Sequence, residues 1–309
     1  METDSFHRPV LLKETLTYLV TKKDGVYFDG TLGGGGYSKA ILESVDQSGK
    51  VIATDLDQNA IKFCTEKFKN EDRIIIVNDN FRNVKSIIQN LKVNKLSGAV
   101  LDLGVSSFQL DNPNSGFSYR FDSEFDLRFN KNILQSASHV VSNLKQKEIE
   151  DIIKNLGEEK NFKKITKGII EIRKANPIRT TSQIVEVISN VVSPNKLNET
   201  LSRVFQAFRI FVNQELENLK AFLSDVTDVI DSTGRLAIVS YHSLEDRIVK
   251  DFFNYESLSC VCPKEFPVCR CGKKARLKKL NRKVISPSKS EIYNNPRGRS
   301  AKLRVAEVL

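Results

Sequence analysis

The chain has 309 residues, is 40% hydrophobic, and sets 48 Lys and Arg against 38 Asp and Glu for a net charge of +10. That length supports a sizeable core and two domains, while no run approaches the roughly 18 uncharged apolar residues of a membrane span, and the opening METDSFHRP does not read as a signal peptide. Four of the five cysteines crowd into Cys260–Cys271, which suits a reducing compartment rather than a disulfide scaffold, so a cytoplasmic location is expected.

Val26–Asp29 reads as a buried strand. It runs into a turn where Gly33, Gly34, Gly35 and Gly36 let backbone approach a ligand that any Cβ would strike. A helix follows over Ser38–Ser44. The next strand, Val51–Asp55, ends in a carboxylate 22 residues past Gly33, close to the spacing at which an acid reaches ribose hydroxyls. Asp29 closes the first strand just before the turn. A carboxylate there repels a pyrophosphate but suits a ligand carrying an ammonium and a sulfonium. Thr31 and Leu32 also break the dinucleotide pattern G-x-G-x-x-G. The turn therefore favours S-adenosylmethionine over a nicotinamide cofactor.

Asp57 reads as the cap of a helix over Asn59–Phe68. Ile74–Val77 and Gly98–Asp102 read as further strands buried on both faces, with helical spacing at Asn83–Leu91 between them. This is a doubly wound α/β array. After Asp102 the alternation stops, and Lys145–Leu156, Phe162–Ala175, Thr181–Val192 and Leu197–Phe222 read as helices. Pro177 and Pro194 stand as breakers, and Thr180 or Thr181 and Ser193 as turn or cap residues. Strands return at Gly234–Tyr241 and Leu303–Val308. The economical reading is one parallel sheet, residues 1–105 and 202–309, interrupted by a helical insertion over 106–201 that acts as a substrate-gripping lid.

Charge is concentrated near the end of the chain. From Arg270 to Arg304 there are thirteen Lys or Arg and one acid, Glu291, so this arm carries +12 and the remainder about −2. Such an arm points to a polyanion partner. His242-Ser243 with Glu245 and Asp246 is no hydrolase triad, because no nucleophile elbow precedes it; it reads as a crevice wall or helix cap. Cys260, Cys262, Cys269 and Cys271 offer either four thiolates for zinc or four reduced thiols. Their C-x-C spacing is tighter than the usual knuckle, and no metal is expected.

LDLGVSS at Leu101–Ser107, followed by Gln109-Leu110-Asp111, closely resembles the ribosomal RNA small-subunit methyltransferase H family. Further blocks carry the resemblance along nearly the whole chain. They include His7–Leu12, the DGTLGGGGYS turn, Gly116–Phe129, Leu156–Glu159, Pro177–Ile184, and the runs from Phe205, Ser240 and Asn295. The resemblance implies a class I S-adenosylmethionine-dependent methyltransferase, a Rossmann-like doubly wound sheet with an inserted helical recognition domain. It also implies methylation of N4 of a cytidine, position 1402 in rRNA numbering, in 16S ribosomal RNA of the small ribosomal subunit. Carried over, the cofactor contacts fall on Gly34, Gly35, Gly36, Tyr37, Asp55, Phe81, Asp102 and Gln109. Asp102 is the first candidate acceptor for the N4 proton and Asp126 the second. Arg128, Arg179, Arg209, Lys273, Lys274, Arg297, Arg299 and Arg304 are candidates for RNA phosphates, and some of Phe117, Tyr119, Phe121, Phe125 and Phe129 for stacking on a flipped base. Two positions depart from the family pattern: Tyr37 stands for a His and Asn130 for an acid. A non-catalytic RNA-binding assembly factor is the alternative that these departures favour.

Overall fold

The protein is described from a computed structural model covering residues 9–309, apart from residues 264 and 267 and the side chain of Ser107; His7 and Arg8 of the first block lie outside the described residues. Its strands are β1 (Val26–Asp29), β2 (Lys50–Thr54), β3 (Ile74–Val77), β4 (Leu96–Asp102), β5 (Ile230–Ser240), β6 (Leu277–Lys279) and β7 (Lys302–Val308). Among the described residues these seven form one sheet in the order β3-β2-β1-β4-β5-β7-β6. The helices are α1 (Leu12–Leu19), α2 (Gly36–Ser44), α3 (Gln58–Lys67), α4 (Val84–Asn90), α5 (Ser107–Asp111), α6 (Ala137–Asn143) and α7 (Gln146–Asn155). They continue with α8 (Phe162–Ala175), α9 (Thr181–Ser189), α10 (Pro194–Asn213), α11 (Glu215–Val229), α12 (Ser243–Glu256) and α13 (Lys289–Asn294). Among the described residues no helix is long and apolar enough to cross a membrane.

The continuous apolar strands work because successive side chains point to opposite faces of the sheet. Phe28, Ile52, Leu101 and Ile238 enter one core with Phe222 and Val226 of α11. Their immediate neighbours Tyr27, Val51, Val100 and Ala237 enter the other core, with Ile41 of α2 and Leu19 of α1. Strands β1 to β5 pair in parallel. The expectation of a wholly parallel sheet fails at its far edge, where β7 runs antiparallel to β5 and β6 antiparallel to β7. An apolar run looks alike in either direction, so only the connection decides orientation. Strand β6 escapes a sequence reading because Leu277 alone of its three residues is buried, beside the exposed Lys278 and Lys279 of an edge strand.

By contacts the chain falls into two compact units: one comprises the chain up to Gly104 together with Leu216–Leu309, the other Val105–Glu215. The sheet unit resumes at Leu216 rather than at 202, because α10 runs on to Asn213 with Val204, Phe205, Phe208 and Val212 in the helical unit's core. The single helix expected over Leu197–Phe222 is two helices, α10 being ended by Gln214 in the left-handed region at φ 52°. Pro194 opens α10 at its first turn instead of breaking a helix, a position where its missing N–H is no loss. Thr180 caps α9, and Gln183 Oε1 accepts its backbone N–H at 3.0 Å. Of the aromatic run, Phe117 stacks on Phe129 at 5.3 Å, Phe125 meets Phe205 and Phe208 edge-on, and Tyr119 meets Phe205. These four belong to the helical unit's own core.

Candidate functional site

The turn after β1 is held by backbone conformation and by acids. Gly35 takes φ 73°, and a Cβ there would come within 2.6 Å of Phe68. Lys67 Nζ of α3 ties the turn by donating to Gly34 O at 2.8 Å. Gly33 N–H donates to Asp55 Oδ2 at 2.8 Å, so the carboxylate that ends the second strand reaches the glycine turn directly. Asp57 caps α3, accepting from Asn59 N–H, and its own N–H donates to Asp55 Oδ1 at 2.8 Å.

Three carboxylates gather at the carboxyl edge of the sheet. Asp29, fully buried at the end of β1, accepts from Ser38 Oγ at 2.7 Å and from Thr31 N–H at 3.2 Å. Asp55 lies just past β2, and Asp102 ends β4. Tyr241 Oη, just past β5, donates to Asp102 Oδ1 at 2.8 Å, and Asp102 N–H donates to Thr31 Oγ1 at 2.7 Å. Tyr241 and Thr31 were missed in the sequence reading; the signal available was that both flank strand ends at the same edge. Burial pushes Asp29 up, Asp55 up to about 6 and Asp102 up to about 7. The negative charge of Asp29 adds to the shift at the other two. Among the described residues none of the three accepts a hydrogen bond from Lys or Arg. The edge is an anionic crevice in which, among the described residues, the cation at the turn, Lys67, is bound to the Gly34 carbonyl rather than to a carboxylate.

The remaining donor-site candidates divide. Phe81, half-buried four residues past the end of β3, sits edge-on to Phe222 at 5.7 Å, and its Cβ would lie 2.9 Å from a Cβ placed on Gly30. It therefore borders the β1 turn. Tyr37 is buried, and its hydroxyl donates to Val10 O at 2.5 Å, which pins the chain before α1 to α2. Burial and the Asp102 charge keep this phenol neutral, well above the ordinary tyrosine range. Its side chain thus has a structural task, and only its backbone remains with the turn. Gln109 lies in the helical unit at the third position of α5, where its Oε1 accepts from Ser106 N–H at 3.0 Å in a capping box.

Asp126 does not suit the part of proton acceptor. It is 3% exposed, with Arg128 bound through Nε at 2.5 Å and Nη2 at 3.0 Å, and Lys131 Nζ at 2.5 Å. Burial would raise it, but the hydrogen bonds and charges of Arg128 and Lys131 outweigh burial and hold it below the usual carboxylate range. The guanidinium of Arg128 also donates to Ile133 O and Lys131 O, so this pair clamps the Leu127–Ile133 loop. Three other RNA candidates are likewise engaged. Arg209 pairs with Glu215 at 2.8 Å and Arg304 with Asp246 at 2.7 Å, while Lys273 lies 3.6 Å from Glu256 and 4.2 Å above the Tyr255 ring. Arg179, Lys274, Arg297 and Arg299 are exposed. Arg179 and Arg128 line one open groove of about 340 Å³ in the helical unit, together with Ser136, Ser138, His139 and Asn143. His242 is the cap of α12, its Nδ1 facing Glu245 N–H.

The description "MraW methylase family" belongs to a family model that matches residues 4–309. The Ribosomal RNA small subunit methyltransferase H of Caldicellulosiruptor saccharolyticus is 48% identical over 302 residues, 97% of this chain and 98% of that one. Proteins of the same name from Clostridium botulinum strain 657 and Halothermothrix orenii are 46% and 41% identical, each over 97% of this chain and 97% and 98% of their own. The strand order with its antiparallel β7 is that of class I methyltransferases, which take S-adenosylmethionine as methyl donor. Three carboxylates raised by burial beside a glycine turn fit a ligand with a sulfonium and an ammonium. On the family match and on identity along nearly its full length, the chain belongs to the MraW methylase family.

Proposed function

We propose that this protein methylates the N4 amino group of a cytidine, position 1402, in the 16S ribosomal RNA of the small subunit, acting in the cytoplasm. The observation that carries the reading is the anionic crevice at the ends of β1, β2 and β4 beside the Gly33–Gly36 turn. The names of the relatives supply the RNA class, and the sequence resemblance supplies the base and its position.

When bound, S-adenosylmethionine supplies a methyl group on a sulfonium, so little covalent help is required. What remains for the protein is alignment and exclusion of water, and good orientation supplies roughly 7–11 kcal/mol of such a barrier. Gly34, Gly35 and Gly36 bring bare backbone to the ligand, with the Tyr37 backbone behind them. Asp55 uses two of its four lone-pair positions on Gly33 and Asp57, which leaves two for ribose hydroxyls. Phe81 offers a ring to the adenine. The sequence resemblance assigns Gln109 to the methionine portion.

Asp102 is the acceptor for the N4 proton. Its Oδ1 is held by Tyr241, Oδ2 has no hydrogen bond among the described residues, and a value of about 7 matches a base that works near neutrality. The lone pair of cytosine N4 is conjugated with the ring, so removing charge from N4–H as the new C–N bond forms lowers the barrier. Arg179, Lys274, Arg297 and Arg299, all exposed, contact RNA phosphates.

The test is transfer of labelled methyl from S-adenosylmethionine to small subunits and to naked 16S RNA from cells lacking the enzyme, followed by nucleoside analysis. N4-methylcytidine at the assigned position is expected. Label on another base or atom would overturn the target. RNA binding without any transfer would instead indicate an assembly factor.

A further inference from the structure

Between α12 and β6 lies a loop that hydrophobic burial does not hold. Val261, Phe266 and Val268 are 43%, 49% and 67% exposed, and no helix or strand is formed between Glu256 and Leu277 among the described residues. Yet the sulfurs of Cys260, Cys262, Cys269 and Cys271 converge, all four within 4.8 Å of one another. Cys269 Sγ and Cys271 Sγ are 3.6 Å apart, and Cys271 Sγ and Cys260 Sγ 3.8 Å. A tetrahedral zinc ion with bonds of about 2.3 Å to sulfur requires ligand sulfurs about 3.8 Å apart. A disulfide would need about 2.0 Å, and all four cysteines are free.

The tight C-x-C spacing that weighs against a metal in the sequence is no obstacle in space, because the two pairs approach from opposite ends of the loop. Three backbone N–H groups point at the sulfurs: Cys262 to Cys260 at 3.4 Å, Val261 to Cys271 at 3.4 Å, and Arg270 to Cys262 at 3.3 Å. N–H donors of this kind spread thiolate charge, as outer-shell hydrogen bonds do at metal sites. Four thiolates around a divalent ion leave a net charge of −2, and Arg270, Lys273 and Lys274 adjoin the cluster in sequence.

We infer that Cys260, Cys262, Cys269 and Cys271 form a structural tetrathiolate site for one zinc ion, which ties the loop between α12 and β6 at the root of the basic arm. On binding, four S–H groups lose their protons to solvent and four Zn–S bonds form, with no change of oxidation state. All four positions around the ion are filled, so the site holds structure and performs no catalysis.

The full-length protein, purified without chelator and dialysed into metal-free buffer, should retain about one zinc per chain by mass spectrometry. Replacing that zinc with cobalt should give the intense thiolate-to-cobalt and tetrahedral ligand-field absorption of a four-sulfur site. The double variant Cys260→Ser, Cys271→Ser should lose zinc at least tenfold and lose the cobalt bands. Zinc well below one per chain that added zinc does not restore, or zinc retained by the double variant, would overturn the assignment. So would cobalt spectra of an oxygen- or nitrogen-rich site in the unmodified protein, a readout that does not depend on the variant folding.

Discussion

Replacing Asp102 by Asn isolates the electrostatic cost of the crevice. The amide keeps an oxygen for the Tyr241 hydroxyl, so the 2.8 Å hydrogen bond survives and only the ionisable group is removed. In the donor-free protein, burial raises Asp102 from its ordinary 3.8 to about 7. The sign follows from linkage. With the folded value above the unfolded one, the acid's stabilising contribution is complete below about pH 4 and is lost as pH rises through about 7. Of that shift about 2 units lie above pH 5, and at 1.36 kcal/mol each they set a ceiling of about 3 kcal/mol on the loss between pH 5 and 8. Asp102 is half-buried, so water reaching its open edge reduces this to about 1–2 kcal/mol. Asp102→Asn should therefore gain stability over the parent as pH rises from 5 to 8, with the difference flat above pH 8. At roughly 2–4 °C per kcal/mol the melting difference should change by about 2–8 °C. Parallel thermal melts of the two proteins without donor measure it. A difference that does not vary across this window, or a variant less stable at pH 8, would refute the desolvated-carboxylate account. The same variant should bind donor weakly and lose methyl transfer.

Asp126→Asn should destabilise the helical unit by about 3–5 kcal/mol, because it strips charge from a buried partner of Arg128 and Lys131; denaturant titration checks this. Its parent carboxylate is held low, so its contribution is present above about pH 4 and disappears as pH falls through the folded value, and an acid titration of the variant should lack that component. Gly35→Ala should cost about 2–4 kcal/mol and weaken donor binding. Its φ of 73° disfavours a side chain, and the new Cβ would press on Phe68; calorimetry with S-adenosylhomocysteine reads the binding loss. The double variant Lys274→Ala, Arg299→Ala should reduce the salt slope of RNA binding by about 2, without altering donor affinity.

The parts of the fold legible in the sequence are those fixed by local pattern. Strands β1 to β4 lie where the apolar runs place them, and α8 spans Phe162–Ala175 as its periodicity indicates. What escaped was set by partners remote in sequence. The direction of β7 depends on its connection, the break at Gln214 on one left-handed residue, and β6 on an edge with a single apolar side chain. At the site, Asp55 and Asp102 were legible because carboxylates closing strands at the same edge must lie near one another. Tyr241 was not, since its pairing with Asp102 spans 139 residues. Arg128, Arg209 and Arg304, read as candidates for phosphate, each lie beside an acid, a pairing the sequence did not reveal. A count of basic residues overstates the surface available to a polyanion.

The crevice's charge also bears on how the protein distinguishes donor from product. Both carry the same amino-acid and nucleoside groups, and they differ in one positive charge at sulfur. If Asp55 and Asp102 supply the attraction, the preference for S-adenosylmethionine over S-adenosylhomocysteine must depend on how far they are ionised. Their values of about 6 and 7 place that change in an accessible range. A unit charge pair about 4 Å apart is worth about 4 kcal/mol at an effective dielectric of 20, so even a longer approach leaves a measurable effect. The affinity ratio should rise as pH goes from 5.5 to 8, and donor binding near pH 6.5 should release protons, visible as a buffer-dependent enthalpy. Spent product would then leave more readily at the pH where the base is ready to act. A ratio unchanged across that range would show that the carboxylates orient the ligand without sensing the sulfonium, and Asp102 would remain only as the acceptor of the amino proton.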